Sequence, residues 1–354
     1  MDNFKILYEK FINLNNRYLD WNNLKLIDDS TIKYYKDLVV PDNDSINELK
    51  KQICIIKLNG GLGTTMGCIA PKSLLEVKNG YNFLDIIIQQ REKQNYDNIP
   101  FYLMNSFYTH NSTQEYIKNK YPNININCFE QSCYPRILKS TQEPLYNSTN
   151  IDHYYPPGHG DILESLKNNK IIDALLDKKI EYIFVSNVDN LGANVNLSII
   201  NDLIKNKIDF AIELTKKTND DVKGGTLIKY NGKFKMFEVA ECHPDKLNEF
   251  TSINKFKYFN TNNIYIRVSA IKELLSTDYL KYVDLIVNPK KLKDGRECIQ
   301  LEYAIGSLVK FFNNVQCYLV DRERFIPVKT NNDLHAIRSD KYKLDDEWNL
   351  QVNN

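Results

Sequence analysis

Apolar residues at the start of the chain recur at helical spacing. Phe4, Leu7, Phe11 and Leu14 form a stripe that Tyr8 and Ile12 widen, which predicts an amphipathic helix packed on the main body. The polar, turn-rich stretch 40–45 (VPDNDS) reads as a linker. From Ile53 the pattern changes. Residues 53–58 are an apolar run broken only by Lys57, as suits a strand buried on both faces, and 101–105 and 182–186 look similar. Helical patterns lie between them, among them 111–120 and 162–176. Strands alternating with helices predict an α/β fold whose central sheet is mainly parallel with right-handed crossovers.

Around 226–239 the period becomes that of strands. TLIKY and KFKMFEV flank Asn231-Gly232, two residues that tolerate positive φ, so a hairpin is expected. An antiparallel ribbon therefore inserts into, or edges, a mixed sheet. Strand-like 264–268, a helix near 301–312 and strand-like 316–320 follow. The expected organisation is a helical extension over 1–45, an α/β body over 46–330 and a C-terminal helix and tail over 331–354.

Composition adds bounds. With 354 residues, 42% hydrophobic and 26% charged, the chain can bury a large core without disulfides or a structural metal. A formal net charge of +1 gives no global basic face for nucleic acid. The seven cysteines (54, 68, 128, 133, 242, 298, 317) are scattered without a CxxC pair and read as thiols of a reducing compartment. His243 beside Cys242 lacks the second spaced pair of a zinc site. No apolar run reaches the roughly 18 residues that span a bilayer. The N-terminus has no secretory signal pattern, so no membrane partner and a cytoplasmic location are expected.

The segment with most chemistry in it is KLNGGLGTTMGCIAPKS, 57–73. A buried strand ends in a loop with glycines at 60, 61, 63 and 67, where backbone N–H groups can approach phosphate with no Cβ in the way. The end of a parallel strand is where α/β ligands bind. The dinucleotide fingerprint fails because Met66 stands where its third glycine belongs, and the triphosphatase loop fails because Lys72 follows Pro71.

In this loop and in seven further segments the sequence resembles the eukaryotic-type UDP-glucose pyrophosphorylases (UTP–glucose-1-phosphate uridylyltransferases). The segments are LNGGLGTTMG (58–67), PKS (71–73), LMNSF (103–107), YPPGHGD (155–161), VSNVDNLGA (185–193), VKGGTL (222–227), FNTNN (259–263) and RFIPVKT (324–330), in the family's order. Ala70 replaces the family's usual glycine before Pro-Lys. The resemblance implies a Rossmann-like nucleotidyltransferase fold and the reaction of UTP with glucose-1-phosphate to give UDP-glucose and pyrophosphate, with Mg²⁺ as cofactor.

It also implies roles for particular residues. Leu58, Asn59, Gly60 and Gly61 would hold the uridine and phosphate side of UTP, and Lys72 would meet its phosphates. Gln131 and Gly158, with Met104 close by, would line the uracil pocket. His159 and Asn187 would contact the sugar phosphate or nucleotide, and Asp189 would be the metal carboxylate. Gly225, Glu238 and Asn260 would face glucose, and Lys329 the phosphates in transfer. The residues fit these tasks on their own chemistry. An amide can satisfy both kinds of uracil edge. An aspartate after a buried strand is a hard ligand of the kind Mg²⁺ takes with phosphate and water. Alone, His159 would be a loop histidine, Asp189 a helix cap and Lys329 a solvated charge; the ordered motifs change those odds.

The attacking phosphate is already dianionic at neutral pH, since its second pKa is about 6, so no general base is required. Family members normally continue into a C-terminal left-handed β-helix, often used for assembly. The sequence ends at Asn354, so that domain is expected to be lacking and a monomer is expected. Two alternatives compete: the same chemistry on another sugar-1-phosphate, and a non-catalytic UTP or UDP-sugar binding module. Thr65-Met66, where N-acetylhexosamine enzymes carry Arg-Leu, argues against the nearest form of the first. Retention of Lys72, Asp189 and Lys329 argues against the second.

Overall fold

A computed structural model of the chain describes residues 3–14, 18–63, 66–67, 70–146 and 149–353. Cys68 and Thr65 of the glycine-rich loop lie outside the described residues. In chain order the principal strands are β1 (Ile32–Tyr34), β2 (Ile53–Asn59), β3 (Phe101–Asn105), β4 (Asn127–Glu130), β5 (Tyr182–Asn187), β6 (Phe210–Lys216), the ribbon strands β7 (Thr226–Tyr230) and β8 (Lys233–Phe237), then β9 (Tyr258–Arg267) and β10 (Val315–Leu319). All except the ribbon pair form one sheet in the spatial order β1-β10-β6-β9-β5-β2-β3-β4. Its pairings are parallel except where β9 runs against β5 and β6.

Every residue of β2 is buried, and its alternate side chains enter two cores. Cys54, Ile56 and Leu58 pack with Leu163, Leu166 and Ile271, while Ile53 and Ile55 pack with Phe83, Leu84, Ile199 and Leu203. Helices therefore cover both faces, and each such aliphatic side chain contributes about 1.5–3 kcal/mol by burial. Lys57 is the exception in the run. Its ammonium is tied to Ser186 Oγ (2.9 Å) and the Ala193 carbonyl (2.7 Å), and burial pushes its pKa down to about 7.

The hairpin forms where expected, with Asn231 at φ 50° and Gly232 at φ 80°. Three local expectations change. The 162–176 pattern is two helices, α1 (Ile162–Asn168) and α2 (Ile171–Asp177), broken at Lys170 with φ 57°. There Asn169 turns its side chain onto the Ser165 and Glu130 carbonyls (2.8 and 3.2 Å), which stops the first helix. The helix expected near 301–312 is a strand, Glu297–Glu302, followed by a 3₁₀ run, Ile305–Phe311. Pairing with Ile286–Lys291 draws Leu301 and Glu302 into the strand, so the helical part starts only at Ile305. Finally, the 1–45 stretch holds the expected helix (Asn3–Ile12), and also two strands. Leu24–Lys25 extends the ribbon and β1 forms one edge of the main sheet. Among the described residues no helix is long and apolar enough to cross a membrane.

Candidate active site

The parallel strands β2, β3 and β5 end together, bringing Asn59, Asn105 and Asn187 to one edge of the sheet. Because β9 is antiparallel, its beginning reaches that edge and carries Phe259 and Asn260 with it. The glycine-rich loop leaves β2 here. A Cβ on Gly60 would collide with Gln131 Nε2, so only glycine lets the amide approach the loop. Ser106 Oγ donates to the Gly60 carbonyl (2.7 Å), and Gln131 N donates to the Asn105 carbonyl (2.8 Å). Gln131 is buried, and its Oε1 finds no hydrogen-bond partner among the described residues. A buried acceptor left open in this way suits a ligand donor such as an imide N–H.

Gly60→Ala is therefore expected to displace the Gln131 amide and raise KM for the nucleotide about two- to tenfold, the weight of one hydrogen bond. Steady-state kinetics beside a melting curve check this; a large loss of Tm with unchanged KM would contradict it.

Two residues expected at the nucleotide point elsewhere. Asn59 is fully buried, and its Nδ2 donates to Asn105 Oδ1 (2.7 Å) and Thr113 Oγ1 (3.0 Å). Met104 is fully buried in the core beneath the sheet. Their side chains shape the base of the site. Leu58 is likewise buried, and its carbonyl accepts from Val188 N (3.2 Å). Gly61, by contrast, has open space where a side chain would stand, and its carbonyl accepts from Lys72 N (3.1 Å).

The 158–160 loop is held against Tyr303. Gly158 has φ 86°, Gly160 N donates to the Tyr303 carbonyl (2.9 Å), and a Cβ on Gly160 would lie 2.6 Å from that oxygen. His159 Nδ1 accepts from Ile305 N (3.1 Å), which leaves the ring proton on Nε2. Burial pushes its pKa down to about 4, so the imidazole is a neutral donor throughout the physiological range.

The side expected to meet phosphate is a junction of three segments. The Lys72 ammonium, from the short turn after Pro71, donates to the Asp189 carboxylate and the Val328 carbonyl, and Val328 N donates to the Asp189 carbonyl (3.3 Å). An ammonium has three protons, so one remains for a phosphate oxygen. Asn190 fixes the same junction: its Oδ1 accepts from Ile326 N (3.0 Å), and its Nδ2 donates to the Arg324 carbonyl (3.1 Å). Lys329 follows directly, exposed, with its ammonium over the rings of Phe259 (5.6 Å) and Phe325 (5.8 Å).

Among the residues expected to face glucose, Gly225 stands against Glu238, whose carboxylate occupies the place a Cβ would need, and Asn260 N donates to the Gly225 carbonyl (3.2 Å). Burial, and then the nearby Glu241, raises the Glu238 carboxyl above its ordinary pKa. A bulge in β9 gives Asn262 φ 60° and turns its Nδ2 onto Asn187 Oδ1 (2.9 Å). The structure thus gathers Lys72, Asp189, Asn187 and Lys329 around one edge, with Gln131 and Gly60 to one side and Gly225, Glu238 and Asn260 to the other.

Sequence reasoning missed Asn262, Ser106, Asn190 and the pair Glu213–Arg324. Glu213 is fully buried and accepts from the Arg324 guanidinium (2.9 and 2.5 Å), Asn263 Nδ2 (2.9 Å) and Tyr265 OH (2.9 Å). A glutamate inside the apolar strand β6 was the available signal.

For a metal, the described residues hold no cluster of three or more His, Cys, Asp or Glu. The Asp189 carboxylate is partly exposed at the strand edge. That donor set fits Mg²⁺, which commonly takes one or two carboxylates and completes its shell with phosphate and water.

A mainly parallel sheet covered on both faces, with a glycine-rich loop and a lysine–aspartate junction at its carboxyl edge, places the protein among the nucleotidyltransferases. The comparisons narrow this. The family model described as UTP–glucose-1-phosphate uridylyltransferase matches residues 1–354. The Solanum tuberosum UTP–glucose-1-phosphate uridylyltransferase is 47% identical, covering 95% of this chain and 73% of its own length. A Dictyostelium discoideum relative, UTP–glucose-1-phosphate uridylyltransferase 2, is 43% identical over 96% of this chain and 68% of its own. A point mutant of Leishmania major UDP-glucose pyrophosphorylase, solved in complex with UDP-glucose, superposes with a TM-score of 0.89 at 31% identity, covering 99% of this chain and 77% of that one. The chain belongs to the UTP–glucose-1-phosphate uridylyltransferase family.

Proposed function

We propose that the chain transfers the uridylyl group of UTP to glucose-1-phosphate, releasing pyrophosphate and forming UDP-glucose. The observation that carries this reading is the junction of Lys72, Asp189 and Val328, which joins the glycine-rich loop, the end of β5 and the segment leading to Lys329. A nucleotide cradled by the loop and a sugar phosphate near Glu238 and Asn260 would meet across it.

In this reading Gln131 and the Gly158 loop hold the uracil, and the loop amides with Lys72 hold the phosphates. His159 Nε2–H donates to the nucleotide or sugar phosphate, and Asn187, oriented by Asn262, does the same from β5. The sugar-phosphate oxygen attacks the α-phosphorus in line, and pyrophosphate leaves on the opposite side. Lys329 neutralises the phosphates in transfer while Glu238 and Asn260 face the glucose hydroxyls. Asp189 would hold Mg²⁺, which supplies charge neutralisation to the departing phosphates. The acceptor is already dianionic, so the arrangement requires no proton acceptor. A cytoplasmic location completes the proposal.

The test is pyrophosphate release from purified chain with Mg²⁺, offering UTP, ATP and GTP against glucose-, galactose- and N-acetylglucosamine-1-phosphate. Release confined mainly to UTP with glucose-1-phosphate is expected. Release with another sugar would retain the chemistry and change the substrate. UTP binding with no pyrophosphate from any pair would leave a binding module.

A further inference from the structure

Asp161 is fully buried directly behind the base side of the site. Its Oδ2 accepts from Ser132 N (2.8 Å) and Ser165 Oγ (2.6 Å), and its Oδ1 from Tyr303 OH (3.3 Å). Each partner belongs to a different part of the pocket. Ser132 follows Gln131, Tyr303 backs Gly158 and Gly160, and Ser165 anchors the cluster to α1.

The consequence for Gln131 is specific. The peptide unit on its amino side is fixed by Asn105 (N to O, 2.8 Å), and the one on its carboxyl side by Asp161 through Ser132 N. With both peptides pinned, the Cα–Cβ vector is set, and the amide projects at Gly60 with Oε1 open. The same carboxylate fixes Tyr303, whose carbonyl receives Gly160 N, while His159 between the two glycines is held by Ile305 N. Hydrogen bonds to charged groups are the strong ones, about twice the neutral kind, so one carboxylate can hold two loops in register. Burial lifts the Asp161 carboxyl to about 6, which leaves it ionised at neutral pH.

We propose that Asp161 is the positioning residue of base recognition, clamping the Gln131–Ser132 turn and the Gly158–Gly160 loop to Tyr303 so that a pyrimidine imide edge is read by a preset Gln131 amide. It makes no contact with substrate. The proposal rests on the reading of Gln131 and Gly158 as the uracil side of the site.

Three variants, Asp161→Asn, Tyr303→Phe and Gln131→Ala, test it through KM for UTP, KM for glucose-1-phosphate, kcat and the ratio of UTP to CTP use, with Tm recorded for each. Asp161→Asn keeps the shape and removes the charge. It is expected to raise KM for UTP at least about fivefold and to narrow the preference for UTP over CTP, with kcat and KM for the sugar phosphate within about twofold. Tyr303→Phe deletes only one donor and is expected to move the same parameter less; it keeps the test open should Asp161→Asn fail to fold. A lowered kcat with both KM values raised alike, or a lowered Tm with KM for UTP unchanged, would show a merely structural carboxylate and overturn the proposal. If Gln131→Ala leaves KM for UTP untouched, the uracil reading falls and takes the proposal with it. If only Gln131→Ala raises it, the uracil reading stands and Asp161 is not its positioner.

Discussion

Lys72→Ala is expected to lower turnover by about 10²–10³-fold, equivalent to about 2.7–4 kcal/mol of lost transition-state stabilisation. The size follows from the reaction's barrier, which is the approach of two anions and the movement of charge onto a leaving group. Lys72 is the cation the fold places nearest the Asp189 carboxylate, at the exit of the glycine-rich loop. Its ammonium also holds the Val328 carbonyl, so its loss loosens the segment that carries Lys329. Single-turnover measurement of pyrophosphate release, with UTP binding followed separately, checks the prediction. Turnover within threefold of the parent would remove Lys72 from the transfer step. A lost UTP affinity with normal single-turnover rate would make it a binding residue alone.

The second large effect is on stability. Glu213→Ala is expected to cost about 3–5 kcal/mol, because it leaves a buried guanidinium without its counter-charge. Arg324 is 12% exposed in its side chain and Glu213 0%. The same substitution strips the acceptor from Tyr265 OH and leaves Asn263 Nδ2 only the Arg324 carbonyl (3.3 Å). Against a typical net stability of about 5–15 kcal/mol this is a large share. The functional echo comes through geometry: Arg324 starts the segment that Asn190 grips and that ends at Lys329. Chemical denaturation with fluorescence detection gives the number. A loss below about 1 kcal/mol would mean the pair is offset by relaxation or water.

Much of this architecture was legible in the sequence, for identifiable reasons. β2, β3 and β5 are short apolar runs buried on both faces, and such runs need little context. Asn231-Gly232 specified its turn because both φ values must be positive. The glycine-rich loop stood out because four glycines followed a buried strand. What was not legible depends on partners far along the chain. Leu301 and Glu302 fit a helical pattern with the residues after them, yet they end a strand because Ile286–Lys291 pairs with Glu297–Glu302 and Tyr155 OH accepts Leu301 N (2.8 Å). Glu213 and Arg324 meet only when β6 and the segment after β10 are neighbours in space. Asn262 was hidden by its own strand, since nothing in FNTNN says which asparagine the bulge will turn. Asn59 and Met104 lie at the ends of β2 and β3, and the inward direction of their side chains follows from helix and core packing, which no local motif shows.

The edge strand β1 has a consequence for how the chain reaches this state. Residues 32–34 pair in parallel with 317–319, so the contact cannot form until nearly the whole of the intervening polypeptide has been drawn together. Closing so long a loop is slow, because its entropy is lost before the pairing returns any energy. Until β1 arrives, β10 presents one side of its backbone unpaired, a template that a second chain can occupy. Refolding yield of this protein should therefore fall as its concentration rises, with crowding at that one edge deciding between a completed sheet and an aggregate.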